Sequence, residues 1–117
     1  MNKYFFIALG LILVILLFNR FKSVLSIDTG KVKEKISGGA LVVDVRTPAE
    51  YQSGHYPGAL NIPVDQLEKR LDEFGQKDKS IIVYCASGGR SGSAKSYLES
   101  IGFTDVTNAG GLSNMPK

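Results

Sequence analysis

A single thiol, Cys85, stands in the stretch Tyr84-Cys85-Ala86-Ser87-Gly88-Gly89-Arg90-Ser91, between an apolar run and a segment with helical spacing. Its neighbours are of the kind that stabilise an anion. Gly88 and Gly89 let the backbone curl so that the N–H groups of Ala86 to Ser91 point inward as a nest, and the following helix adds the positive end of its dipole. Arg90 places a fixed charge on the same rim. These influences lower a thiol pKa from ~8.5 toward neutrality, so Cys85 is a nucleophile without a general base. An inert cysteine packed as a small hydrophobe in a Gly-rich turn is the alternative reading; the glycine pair, the arginine and the helix start favour the reactive one.

Other chemistry is limited by the same inventory. One Cys permits no internal disulfide, no C-x-x-C pair and no four-Cys zinc site, so no metal or cofactor is expected. Asp44 and Arg46, two apart at a strand end, read as an ion pair that supports a loop rather than as acid–base catalysts. His55, set among Gly54, Pro57 and Gly58, reads as the tie of a turn through its ring nitrogens. The formal charge of +3 resides in Lys3, Arg20 and Lys22, which leaves 11 basic against 11 acidic residues in the rest of the chain. With no basic stripe interleaved with aromatics, nucleic acid is not an expected partner. Lys31, Lys33, Lys35, Lys77 and Lys79 read as solvated faces.

The elements that must position these residues alternate between strand and helix patterns. Asp28 and Thr29 cap a short helix carrying Val32 and Ile36, which Ser37-Gly38-Gly39 ends. Leu41 to Val45 is a near-continuous apolar run, the pattern of a central strand covered on both faces. Thr47-Pro48-Ala49-Glu50 combines an N-cap, a proline at the first helical position and a glutamate three residues after the cap, so a short helix should reach Gly54. Ala59 to Ile62 reads as a short strand closed by Pro63. Asp65 and Glu68 repeat the capping pattern ahead of a surface helix whose buried face is Val64, Leu67, Leu71 and Phe74. Ile81 to Tyr84 is a further buried strand, Ser91 to Ile101 a helix ended by Gly102, and Thr104 to Thr107 a last strand. The prediction is an α/β domain over residues 23–117, a parallel sheet with right-handed crossovers and helices on both faces. Cys85 then lies beyond a strand's carboxyl end, where such sheets bind ligands.

Residues 1–22 carry a different signal. Tyr4 to Phe18 is fifteen residues without a charge, flanked by Lys3, Arg20 and Lys22. The expectation is a retained N-terminal hydrophobic helix that anchors the chain in a membrane through residues 4–18 as a single pass, with a cleaved secretory signal as the alternative. The cation bias after the run places the domain on the cytoplasmic side, the exported side being the other possibility. Ser23 to Asp28 reads as a short linker.

Taken together, Cys85, Gly88, Arg90 and Ser91 resemble the active-site loop of rhodanese-like sulfurtransferases. Asp44-Val45-Arg46, Glu50-Tyr51, Gly54-His55-Tyr56-Pro57-Gly58-Ala59, Asn61-Ile62-Pro63 and Gly110-Gly111 are similar to that family's pattern in its order. The resemblance covers essentially all of residues 23–117 and implies the family's single-domain form. It implies that Cys85 takes a sulfane sulfur from a donor such as thiosulfate or a persulfide, carries it as a persulfide within the loop amides, and passes it to a thiol or cyanide acceptor. Two positions depart from the pattern: Met115 stands where an aromatic commonly follows the glycine pair, and Arg90 is the loop's sole basic residue, which makes persulfide or polysulfide as plausible a donor as dianionic thiosulfate.

Two other function classes compete. A Cys-dependent phosphatase or arsenate reductase has five residues between its Cys and Arg, whereas four separate Cys85 from Arg90, a shorter ring sized for one sulfur rather than a tetrahedral oxyanion. A non-enzymatic tethered binding or sulfur-carrier module would keep the fold and the cysteine without turnover.

Overall fold

The computed structural model describes residues 3–25 and 27–117, with the side chains of 20–25 outside the described set. Four parallel strands form one sheet in the order β2-β1-β3-β4: β1 Leu41–Asp44, β2 Leu60–Asn61, β3 Ile81–Cys85 and β4 Val106–Gly111. The apolar runs occupy the two central positions. Every residue of β3 is buried, because both of its faces are covered.

Period-two alternation divides the core into two layers. On one face Val43, Val45, Ile81, Val83 and Cys85 pack with Ala94 and Leu98 of α4 (Gly89–Ser100) and with Leu67, Phe74 and Phe103. On the other, Val42, Ile82 and Tyr84 pack with Val32 of α2 (Thr29–Ser37), Ala59, Ala109 and Met115. Helices thus flank the parallel sheet on both sides. Met115 is buried against Tyr84 and Ile82, so a flexible thioether fills the place left without an aromatic ring.

The caps act as their residue types require. Asp28 accepts from the Lys31 N–H ahead of α2. Thr47 and Glu50 form a reciprocal capping box on α3 (Pro48–Gln52), with proline in the first turn. The expected helix from Asp65 to Phe74 is instead two 3₁₀ segments, Val64–Gln66 and Glu68–Phe74, broken at Arg70 (φ −124°, ψ 27°). Neither segment has a side-chain cap, while Leu67 and Phe74 are buried; core docking sets the backbone path where local capping does not. The last strand begins at Val106 rather than Thr104 and runs on to Gly111. Lys35, expected in solvent, pairs with Asp105 and donates to Thr107 Oγ1 at 3.1 Å.

The N-terminal expectation is corrected. Residues Lys3–Leu25 form helix α1, but among the described residues no helix is long and apolar enough to cross a membrane. The uncharged run Tyr4 to Phe18 rises roughly 22 Å, against ~30 Å of bilayer hydrocarbon. The single-pass anchor, and the membrane placement of the domain that depended on it, are therefore withdrawn. Helix α1 covers the first part of the expected linker 23–28; Ser26, and the side chains of Arg20, Phe21 and Lys22, lie outside the described residues.

Candidate active site

Cys85 is the last residue of β3, and only three residues, Ala86, Ser87 and Gly88, separate it from α4. Such a short connection must reverse the chain sharply. Gly88 does so at φ 99°, a left-handed conformation that costs an L-residue strain, and it serves as the N-cap of α4. The reversal points the Gly88 N–H at Cys85 Sγ, 3.0 Å away. Ser91, in the first turn of α4 and fully buried, sets its Oγ 3.3 Å from the same sulfur.

The thiol is 1% exposed, and that burial pushes its pKa up. The Ser91 hydroxyl and the backbone N–H groups of Ser91, Ser87 and Gly88 act together in the opposite sense and outweigh it, holding Cys85 below its ordinary value. The loop thus favours thiolate in a nearly dry setting. Donors fixed by the backbone need not reorganise when charge appears on the sulfur, which is the arrangement that stabilises a developing anion.

Strand β4 completes the loop's support. Its register with β3 shifts between Val83, opposite Asn108, and Cys85, opposite Gly111. The irregularity turns the Asn108 amide toward the loop: Nδ2 donates to the Gly88 carbonyl at 3.1 Å, and Oδ1 lies 2.7 Å from Ser91 Oγ and accepts from the Gly110 N–H at 2.9 Å. Beyond it Gly111 passes so close to the loop that a Cβ there would lie 2.3 Å from the Ala86 carbonyl oxygen. Asn108 was not singled out from the sequence. A lone Asn inside a strand carries no spacing signal, and only the adjacent Gly110-Gly111 marked the place as unusual.

The charged candidates are arranged in two pairs. Arg90 does not extend freely over the loop: its guanidinium donates to both carboxylate oxygens of Glu50, at 2.7 and 3.0 Å. Glu50 is held at about pKa 2, first by Arg90 and then by the Thr47 backbone N–H. Asp44, fully buried, accepts from the Arg46 guanidinium at 2.7 to 3.1 Å and from the Arg46 backbone N–H at 2.9 Å. Arg46 also donates to the Gly54 carbonyl at 2.7 Å and lies over the Tyr84 ring. His55 is exposed, with Nδ1 2.9 Å from the Tyr51 carbonyl and its ring stacked on Tyr51 at 3.6 Å, outside the Cys85 loop. Among the described residues no cluster of His, Cys, Asp and Glu is suited to a metal ion.

A four-stranded parallel sheet with a cysteine at the carboxyl end of a central strand, its sulfur ringed by donors of the following loop and helix, defines a small cysteine-loop α/β domain. The chain belongs to the rhodanese-like domain family, whose profile matches residues 28–115. It is 44% identical over 78 residues to thiosulfate sulfurtransferase PspE of Escherichia coli, an alignment covering 64% of this chain and 75% of that protein. It is 38% identical over 105 residues to thiosulfate sulfurtransferase 16 of Arabidopsis thaliana, covering 79% and 87% of the two chains. Among solved structures, a rhodanese with anions from E. coli superimposes with a TM-score of 0.63 at 41% identity, over 67% of this chain and 95% of the other.

Proposed function

We propose that residues 23–117 form a sulfurtransferase unit in which Cys85 carries a sulfane sulfur. In the loading step the Cys85 thiolate attacks the outer sulfur of the donor. A new S–S bond forms and the donor's S–S bond breaks with its electron pair on the leaving group, sulfite from thiosulfate or a thiolate from a persulfide. Cys85 is left as a persulfide. In the second step cyanide or a thiolate acceptor attacks the terminal sulfur, and the Cys85 thiolate departs. Each step conserves charge and needs no external oxidant or reductant.

The residues of the loop divide the work. The main-chain N–H groups of Ala86, Ser87, Gly88, Gly89 and Ser91 cradle the sulfur, the Ser91 hydroxyl steadies its charge, and Arg90 organises the rim. Asp44, Arg46 and His55 hold the adjoining segments in place. The observation that carries this reading is the pair of donors on Cys85 Sγ, Gly88 N–H at 3.0 Å and Ser91 Oγ at 3.3 Å, which favours an ionised nucleophile. The names of the relatives, thiosulfate sulfurtransferases, support the reaction class. After treatment with thiosulfate or polysulfide the intact protein should gain one sulfur atom, removable by cyanide, and Cys85→Ser should gain none. A folded, reduced protein that takes no sulfur from either donor would favour a binding module. Cys85-dependent turnover of an aryl phosphate would favour phosphatase chemistry.

A further inference from the structure

We propose that Glu50 is a specificity-determining residue of the sulfur-transfer site: by occupying the Arg90 fork it neutralises the loop rim and turns donor choice toward persulfides bearing at most one negative charge, away from dianionic thiosulfate. This rests on the reading of Cys85 given above.

Arg90 is the one charged residue between Cys85 and Ser91. Both of its contacts to Glu50 are hydrogen bonds of ordinary length, in the bidentate geometry that matches a guanidinium to a carboxylate. The pair spans 40 residues of sequence, so it is formed by the fold and not by a local helix turn. Arg90 stands in the first turn of α4, next to Ser91, whose Oγ lies 3.3 Å from Cys85 Sγ, so the Glu50–Arg90 pair is part of the rim of the Cys85 loop. A dianion approaching this rim meets a compensated pair in place of a free cation, and the nearby Glu50 charge opposes it. An alkyl persulfide reacts without that penalty: the Cys85 thiolate and R–S–SH give the Cys85 persulfide and R–S⁻, with one S–S bond formed and one broken. The other cation near the loop, Arg46, is likewise committed, to Asp44.

Glu50→Gln separates charge from structure. Glutamine keeps an Oε1 able to accept from Thr47, as Glu50 does from its N–H at 3.2 Å and its hydroxyl at 3.1 Å, so the α3 capping box survives. Oε1 can still accept from Arg90 Nη1, as it does at 2.7 Å, but the amide nitrogen takes the place of the second acceptor and the negative charge facing the guanidinium is gone. The experiment measures sulfur loading of Cys85 in the full chain by thiosulfate and by 2-hydroxyethyl persulfide, in wild type and in E50Q. The expected result is that E50Q lowers KM for thiosulfate about five-fold with a steeper salt dependence, while kcat/KM for the persulfide stays within about two-fold. The ratio of the two donors on one preparation cancels any unfolded fraction. Equal changes for both donors, or none for either, overturn the proposal while leaving Cys85 as the sulfur carrier. No loading from either donor in wild type overturns the sulfur-transfer reading, and this inference with it.

Discussion

Cys85 combines near-complete burial with an ionised working form, two conditions that oppose each other unless fixed donors compensate. The direct side-chain donor is Ser91, whose single hydroxyl proton serves either Sγ or Asn108 Oδ1 at one time. Ser91→Ala should therefore raise the thiol pKa, because it removes the side-chain hydrogen bond that favours the ionised sulfur while the burial that opposes ionisation remains. The rate of iodoacetamide alkylation against pH measures it. In wild type that rate should reach half its maximum below the pH typical of free cysteine, and in the variant the curve should move to higher pH. Glu50 gives a second pH signature. Its folded pKa of about 2 lies below the ordinary 4.5, so the stability it lends is complete above pH about 4.5 and is lost as pH falls toward 2. Denaturant melts across that range should show E50Q losing less stability than wild type on acidification.

At the scale of elements, the Cys85 loop rests on β4, and the segment that follows β1 rests on a buried ion pair. Gly111 in β4 passes beneath Ala86, where an added Cβ would meet a backbone oxygen at 2.3 Å. Neither partner is a flexible side chain, so Gly111→Ala must displace the loop or the strand; a loss of about 1–3 kcal/mol in chemical denaturation is expected, together with slower sulfur loading. The end of β1 is equally committed. Asp44 is fully buried and Arg46 nearly so, and Asp44→Ala would leave a guanidinium without its counter-charge inside the domain. A destabilisation of about 3–5 kcal/mol should follow, larger than for any exposed pair of the chain such as Arg70–Glu73. The Asp28 cap, the Thr47–Glu50 capping box, the glycine turns and the two central strands were legible in the sequence because each is a local pattern, whereas the capping pattern at Asp65 and Glu68 forms no cap. The 3₁₀ path from Val64 to Phe74 was not: its apolar spacing fits a helix, and the break at Arg70 reflects where Leu67 and Phe74 must dock.

For the whole molecule, the two core layers are built from residues 32–115, and no described side chain of α1 is buried. Its large apolar residues from Tyr4 to Phe18 are all more than half exposed. A chain beginning at Ser26, which retains the Asp28 cap of α2, should keep its thermal midpoint within about 4 °C of the full chain, a shift equivalent to less than ~1 kcal/mol. Sulfur loading at Cys85 should be unchanged, as measured by intact mass.

Taken alone, the order of residues determined the α/β class, the central strands, the starts of α2 and α3 and the thiol that the chemistry needs, because hydropathy period, capping and a Gly-rich turn act over a few neighbours. Only the tertiary structure decided what surrounds that thiol. Asn108 reaches the loop through a shift in strand register, and Glu50 reaches Arg90 across 40 residues, so neither contact leaves a trace in local spacing. The electrostatic character of the site follows from these long-range pairings: a guanidinium that reads as free in a linear motif is compensated once the sheet brings α3 beside the start of α4.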